Sequence, residues 1–258
     1  MNLNVIAGFV IAFFALYFGA PDMREDIVVY LRVDAFVLVF FGTLASTLIS
    51  SSFEDFGGLF KILRRVIFGK RQFVMPYEMI KILVDLSQNA QNMSRQALGD
   101  SSKGINDMFL TRSLEMVGAG LEKDFIIQTL EADIIEVKNR HLKMVSTVRT
   151  MGSFAPMFGM AGTVIGVIQV LKNVTDIDNI VGGMALALLT TLYGLFFSSL
   201  LFIPLSNKLK NLSDQEVLAK EIVVEGMNMV LDKEIPLKVE KHLTSFIHSS
   251  RKDLEKKK

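Results

Sequence analysis

Residues 151–171 read MGSFAPMFGMAGTVIGVIQVL, a run without a charged side chain. A helix of about 20 apolar residues, rising about 1.5 Å per residue, crosses a hydrocarbon core of about 30 Å. The run is therefore long enough to span a membrane, although many of its side chains are small. Its small residues recur at steps of three and four, which places them in one stripe along a helix. They are Gly152, Ala155, Gly159, Gly162 and Gly166.

A second stripe of small residues follows in residues 181–205. Its members recur at steps of three and four and are Gly183, Ala187, Thr191, Gly194 and Ser198. Helices in lipid associate mainly through close backbone approach, which small residues permit. The stripes therefore predict that both helices pack against protein. Two arrangements fit: the two helices pack on each other within one chain, or several copies share a tightly packed centre.

The composition predicts an all-α polytopic membrane protein. Half of the 258 residues are hydrophobic and the mean hydropathy is +0.39. Four segments can cross a membrane as helices, at residues 3–20, 33–49, 151–171 and 181–205. A cleaved signal is the alternative for the first segment. We disfavour it because the segment lacks an N-terminal Lys or Arg and exceeds the usual apolar length of about 7 to 15 residues.

Lys and Arg are distributed unequally around these segments. Residues 54–149 hold fourteen and residues 206–258 hold eleven of the 28 basic residues. The positive-inside rule therefore predicts that both termini and the long middle segment are cytoplasmic. We divide the chain into a transmembrane hairpin (1–53), a helical cytoplasmic domain (54–149), a second hairpin (150–205) and a helical cytoplasmic tail (206–258).

The cytoplasmic segments have helical patterns of their own. Residues 53–68 predict an interfacial helix, with basic residues at Lys61, Arg64, Arg65, Lys70 and Arg71 that can meet anionic lipid. The apolar spacing of residues 121–150 predicts one long helix that runs on into the third span. Ser213 with Glu216 is typical of a capping box that begins a new helix. Residues 251–258 read as a basic, disordered tail.

Polar groups inside the third and fourth spans are few. Thr163, Thr190 and Thr191 either return their hydroxyls to their own helix carbonyls or offer oxygen ligands to a hard cation. Pro156 lacks an amide hydrogen and is expected to kink the third helix or open its hydrogen bonding. Pro204 is expected to stop the fourth.

The four spans contain no Asp, Glu, Lys, Arg or His apart from Asp34, at the outer edge of the second span. Cation pathways usually depend on an ionisable group within the membrane. If the chain carries ions, a partner must therefore supply the carboxylate. Asp34 itself is either a hydrated interfacial acid or a group used in assembly.

Several classes of function lack support in the residues. The chain has no cysteine, and we find no phosphate loop, no nucleophile with a base and no metal-ligand spacing. We therefore expect no catalytic residues, no bound metal and no cofactor. A net charge of +1 indicates no affinity for nucleic acid. The histidines are scattered in polar sequence.

Residues 152–176, GSFAPMFGMAGTVIGVIQVLKNVTD, and residues 184–209, MALALLTTLYGLFFSSLLFIPLSNKL, resemble the MotA/PomA stator subunits of the bacterial flagellar motor. The wider group includes ExbB and TolQ. The resemblance implies a homo-oligomeric ring in the bacterial inner membrane, expected to be pentameric. It also implies a single-span MotB/PomB-type partner that carries the ion-binding aspartate and a peptidoglycan-binding domain, and contact with the rotor protein FliG.

The resemblance also implies roles for individual residues. Thr163, Thr190 and Thr191 would line the ion pathway, in a pattern closer to the sodium-driven PomA type, with the proton as the alternative ion. Pro156 and Pro204 would couple ion flow to movement. Positions implied in packing or assembly are Gly159, Gly162, Gly166, Gly194 and Asp34.

One region departs from the family pattern. Gln91 and Asn92 stand where stator subunits usually carry positive charge toward FliG. A rotor contact in a shifted register would use Arg95, Asp100 and Lys103. The alternative function is an ExbB/TolQ-like energiser of an envelope or non-flagellar motility system. The partner distinguishes the two, because a peptidoglycan-binding domain indicates a stator and a periplasmic receptor-binding domain indicates an energiser.

Overall fold

The structure is a computed structural model that describes residues 3–19, 25–52, 57, 73–172 and 174–247. Within these ranges all regular elements are helical, so the predicted all-α class is confirmed. The helices are α1 (Leu3–Gly19), α2 (Val33–Ser50), α3 (Pro76–Ala90), α4 (Arg95–Asp100), α5 (Met108–Gly118), α6 (Lys123–Lys172), α7 (Ile177–Phe196), α8 (Ile203–Leu231) and α9 (Pro236–Ser245). A short 3₁₀ turn (Ile27–Tyr30) precedes α2, and a π-helical segment (Phe197–Phe202) joins α7 to α8.

Three helical stretches in the described residues are long and apolar enough to cross a membrane. They are Ile27–Ser50, Lys123–Lys172 and Ile177–Leu231. Helix α1 has 17 residues, which is at the lower end of the spanning range of about 17 to 25 residues. The count of four spans therefore stays a prediction at α1.

Helix α6 is the long helix that the apolar spacing of residues 121–150 predicts. It runs for 50 residues through Pro156 to Lys172, a length of about 75 Å at the usual rise per residue. One element thus carries residues from the polar middle segment into the third apolar segment.

Pro204 does not stop the fourth span, contrary to the prediction. Helix continues through it to Leu231, because the π-helical segment rearranges the hydrogen bonds just before the proline. There the N–H of Ile203 donates to the carbonyl of Ser198, five residues back. A proline in the first turn after such a change costs the helix few hydrogen bonds, because proline has no N–H that would need an acceptor there.

Ser213 is not a helix cap, which is a second correction. It lies inside α8, and its Oγ is 3.1 Å from Nδ1 of His141 on α6. The spacing of Ser213 and Glu216 satisfies the capping-box pattern, but a cap forms only where the chain enters a helix. Nothing before Ser213 breaks the helix, so the hydroxyl pairs with another helix instead.

The chain divides into two compact units that each combine distant parts of the sequence. The first unit is Met1–Lys70 with Leu142–Lys210, and the second is Arg71–His141 with Asn211–Lys258. Of the three boundaries between the units, the one at His141 falls inside α6 and the one at Lys210 falls inside α8. The predicted tail, from Asn211 onward, therefore belongs to the same unit as most of the predicted middle domain. The four consecutive domains of the sequence analysis were divided by whether each lies in the membrane or in the cytoplasm. That division stays a prediction.

In the first unit, α2 packs against α7 and the π-helical segment. Ala35, Leu186 and Leu189 form a buried apolar cluster. The ring of Phe197 lies 5.8 Å from the rings of both Phe36 and Phe40 on α2. These contacts hold the π-helical segment in place from the side of α2.

The second unit has an aliphatic core built from α3, α5, α9 and the nearby parts of α6 and α8. Its largest fully buried side chains are Met79, Leu83, Leu110, Leu114, Ile126, Leu130, Ile222, Met227 and Leu243. Helix α4 meets α5 where Gly99 faces Gly118, and a Cβ at Gly99 would lie 2.6 Å from the Cα of Gly118. This close approach fixes α4 and the turns beside it on the core.

Three predicted features lie outside the described residues. They are the interfacial helix at residues 53–68, of which only Gly57 is described, the basic group at Lys61, Arg64, Arg65, Lys70 and Arg71, and the tail at residues 251–258.

Candidate functional site

The two stripes of small residues face each other across α6 and α7 within one chain. A Cβ added to Gly159 would lie 2.9 Å from the carbonyl oxygen of Thr190. A Cβ added to Gly194 would lie 2.6 Å from the carbonyl oxygen of Ala155. A Cβ at Gly166 would overlap the carbonyl oxygen of Gly183. Of the two arrangements that the sequence left open, the structure therefore uses the stripes to pack the two helices on each other.

Thr190 lies at the centre of this contact and is fully buried. Its hydroxyl donates to carbonyls of its own helix, at 2.9 Å to Leu186 and 3.0 Å to Ala187. Its side chain fills the space beside Gly162, where a Cβ would lie 2.5 Å from the Cβ of Thr190. The hydroxyl is thus returned to the helix, as buried threonines commonly do.

Thr163 and Thr191 form a different arrangement. Their hydroxyl oxygens are 2.6 Å apart, although the residues are 28 positions apart in the sequence. Carbonyl oxygens approach the pair from both helices. Gly159 O lies 3.1 Å from Thr163 Oγ1 and 3.4 Å from Thr191 Oγ1, and Ala187 O lies 3.3 Å from each. We call these two hydroxyls and two carbonyls the threonine cluster.

The threonine cluster is rich in oxygen and poor in protons. The two hydroxyls of Thr163 and Thr191 carry two hydrogens in total, and one of them joins the pair. Both side chains are half-buried, in contrast to Thr190. Hydroxyl and carbonyl oxygens are ligands that hard cations accept, and a hydroxyl can also donate to a carboxylate. The cluster can therefore act on a cation or on an acid brought beside it.

The surface around the threonine cluster is apolar. Met160, Val167, Leu188 and Leu195 lie three or four residues from the two threonines and are all exposed. Residues 151–171 and 181–205 contain no Asp, Glu, Lys, Arg or His. The chain thus presents oxygen ligands on an apolar face without the charged group that cation movement in a membrane usually requires.

Pro156 affects hydrogen bonding on both helices. A proline supplies no N–H to the carbonyl four residues earlier, which here is Gly152. The hydroxyl of Ser198 donates to that carbonyl at 2.6 Å, and Ser198 is buried. Ser198 is the second residue of the π-helical segment. We call Pro156, Gly152, Ser198 and this segment the proline joint; the sequence indicated Ser198 only as a small residue.

Replacing Ser198 with alanine is expected to destabilise the packing of α6 on α7 by about 1–3 kcal/mol, because it leaves the buried Gly152 carbonyl without a donor. The measurement is thermal unfolding of the purified membrane protein. Ser199→Ala removes an exposed hydroxyl from the next position and is the control. Equal stability of the two variants would contradict the role that we assign to Ser198.

Asp34 takes part in contacts that connect α2 to α7. Its carboxylate accepts two hydrogen bonds from the Arg32 guanidinium, at 2.5 and 3.1 Å. Arg32 also donates to the carbonyl of Gly182 at 2.9 Å, and its own N–H donates to the Tyr193 hydroxyl at 3.1 Å. Asp34 therefore holds Arg32 within its own chain, and a role of Asp34 in assembly between chains stays a prediction.

The residues predicted for a rotor contact lie together on the surface of the second unit. Asp100 pairs with Lys103 at 3.0 Å, and both side chains are mostly exposed. Arg95 is exposed at the start of α4. Gln91 and Asn92 are exposed in the turn after α3. The structure thus brings the predicted charges to one accessible region, where their role stays a prediction.

Comparison with known proteins points to one family. The sequence profile of the MotA/TolQ/ExbB proton channel family matches residues 101–222. Motility protein A of Cereibacter sphaeroides is 32% identical, with 81% of each chain covered. Chemotaxis protein PomA of Vibrio alginolyticus is 28% identical over 98% of this chain and 96% of that protein. These proteins resemble the chain over most of its length.

Solved structures agree with the sequence comparison. A chain of the flagellar MotAB stator complex from Bacillus subtilis is 26% identical and superposes with a TM-score of 0.86, with 96% of both chains covered. The family consists of channel subunits rather than enzymes, in line with the expectation that the chain has no catalytic residues. The chain belongs to the MotA/TolQ/ExbB proton channel family, on the branch of the motility A proteins.

Proposed function

We propose that the chain is the ion-conducting A subunit of a flagellar stator and that its ion is sodium. The observation that carries this proposal is the threonine cluster, which places two hydroxyls and two carbonyls on an apolar helix face. Such oxygens can replace part of the hydration shell of sodium, whereas methyl groups cannot. A proton needs no such set of ligands, so sodium is favoured over the proton.

The third and fourth spans contain no carboxylate, so a partner must supply the one that cation movement requires. The similar Bacillus subtilis structure is a complex named MotAB. We therefore infer a MotB/PomB-type partner with one membrane span, an ion-binding aspartate and a peptidoglycan-binding domain. Several copies of the chain, expected to be five, surround this partner in the inner membrane with both termini in the cytoplasm. The exposed apolar residues beside the threonine cluster are suited to contact the partner helix.

Ion flow then drives movement of the ring. Each elementary charge that crosses 100 mV releases about 2.3 kcal/mol. At the proline joint the side chain of Ser198 links α6 to the π-helical segment that lies just before Pro204. Pro156 and Pro204 are therefore suited to couple ion binding to a change in helix geometry. The region of Arg95, Asp100 and Lys103 would transmit the movement to FliG.

The test is rotation of tethered cells that lack their own stators and express this chain with its partner. We expect rotation speed to rise with external sodium while the proton gradient is held constant. Sodium-independent rotation would contradict sodium coupling and leave the proton as the ion. Ion flux without any rotation would support the ExbB/TolQ-like alternative, for which the absence of positive charge at Gln91 and Asn92 is the favouring observation.

A further inference from the structure

The first unit contains an apolar cavity between α1 and the start of α8. Its volume is about 280 Å³. The apolar walls are formed by Gly8, Phe9 and Ala12 on one side and by Leu200, Pro204 and Leu205 on the other. Small residues on α1 create the space, since a Cβ added to Gly8 would meet nothing within 4 Å. Such a cavity is a poor site for water, which needs several polar partners.

One end of the cavity is polar. Lys208 lines it and is half-buried, and within the part of the chain that the structure describes it forms no ion pair. Ser199 also lines this cavity. Lysines in this situation lay their aliphatic stem on an apolar wall and direct the ammonium group toward an anion or water.

The position of the cavity along the helices restricts what can fill it. Lys208 follows the fourth apolar segment by three residues, and Gly8 lies near the start of the first. The positive-inside rule places both at the cytoplasmic side of the membrane. At this depth acyl chains meet headgroups, and basic pockets between membrane helices on this side are known to bind anionic headgroups.

We propose that this cavity is a site for an anionic phospholipid of the cytoplasmic leaflet. One acyl chain lies between α1 and α8, and the lipid phosphate pairs with the Lys208 ammonium. The apolar walls account for the position of the acyl chain, and Lys208 accounts for the preference for an anionic headgroup. The site is built from residues that take no part in the threonine cluster.

The charge preference is tested in nanodiscs that contain phosphatidylglycerol, phosphatidylcholine or a mixture. Native mass spectrometry of the purified complex measures how much of each lipid stays bound. We expect phosphatidylglycerol to be retained preferentially, and Lys208→Gln to weaken its retention about fivefold, as for one lysine near an anionic surface. Lys210→Gln is the matched control, because Lys210 is exposed two residues further along the same helix. Equal loss in both variants would overturn the proposal, since it would indicate general attraction of basic residues to the membrane.

The proposed position of the acyl chain is tested with a variant whose larger side chain fills the cavity. Ala12→Phe is expected to reduce retention of bound lipid, whereas Ala15→Phe, at an exposed position of α1, is expected to leave it unchanged. Unchanged retention in Ala12→Phe would overturn the proposal. A second copy of the chain is the competing occupant. Because the chain has no cysteine, a thiol-reactive photo-crosslinker attached to Ala12→Cys reports on a second copy at this site, and a cross-link between copies would also overturn the proposal. None of these measurements uses rotation or ion flux, so their failure would leave the proposed function standing.

Discussion

Replacing Gly166 with alanine is expected to prevent stable packing of α6 against α7. The added Cβ would overlap the carbonyl oxygen of Gly183 and would lie 2.8 Å from the Cβ of Ala187. The carbonyl belongs to the backbone of a helix, so it cannot move aside as a flexible side chain can. Excess atoms in a packed core cost about 1–3 kcal/mol, and we expect the upper end of that range here. This is a large part of the stability of a typical domain, about 5–15 kcal/mol.

Gly182→Ala is the matched control for Gly166→Ala. A Cβ at Gly182 would meet nothing within 4 Å, although the residue is adjacent to Gly183 in the same helix. The measurement is the amount of folded protein in membranes and its unfolding temperature after purification. If Gly166→Ala were as stable as Gly182→Ala, the facing stripes could not be the contact between the helices.

Removing the hydroxyls of the threonine cluster is expected to abolish most of the ion flux without preventing assembly. Thr163→Val and Thr191→Val each keep the size of the side chain and delete one of the two oxygen atoms that lie 2.6 Å apart. A hydrogen bond to a charged group contributes about 1.5–3 kcal/mol, so a loss of tenfold or more in ion flux is expected. Flux is measured in vesicles, and assembly is measured by recovery of the partner on purification.

Thr190→Val provides the comparison for the two cluster variants. The Thr190 hydroxyl shares the Ala187 carbonyl with the cluster but is fully buried on the packed side of the helix. We therefore expect Thr190→Val to retain most of the flux and to affect stability instead. Equal loss of flux in all three variants would contradict the division of the threonines into a cluster and a packing residue. Loss of assembly in the cluster variants would show that those hydroxyls are structural.

The spacing of small residues predicts which face of each helix is packed, and Gly159, Gly166 and Gly194 lie in the contact between α6 and α7. It does not predict the neighbour, because a stripe that fits a helix of the same chain fits a helix of another copy equally well. The short connection between the third and fourth apolar segments, residues 172–180, favours the pairing within one chain.

Side-chain hydrogen bonds between the helices were beyond prediction. The bond from Ser198 to the Gly152 carbonyl depends on the register of one helix against the other, which single-helix periodicity does not contain. The same limit applies to the pairing of Thr163 with Thr191. The errors at Pro204 and Ser213 have a local cause. Pro204 has the pattern of a helix end and Ser213 has the pattern of a helix start, and the π-helical segment and the continuing helix override them.

The most direct test of the account is ion flux in liposomes that contain the purified chain, alone and together with the single-span partner that we propose. The chain supplies oxygen ligands on a face without ionisable groups, so the account predicts no selective flux from the chain alone. It predicts sodium flux when the partner is present, and loss of that flux when the aspartate that we propose in the membrane span of the partner is replaced by asparagine. Selective sodium flux through the chain alone would contradict the account.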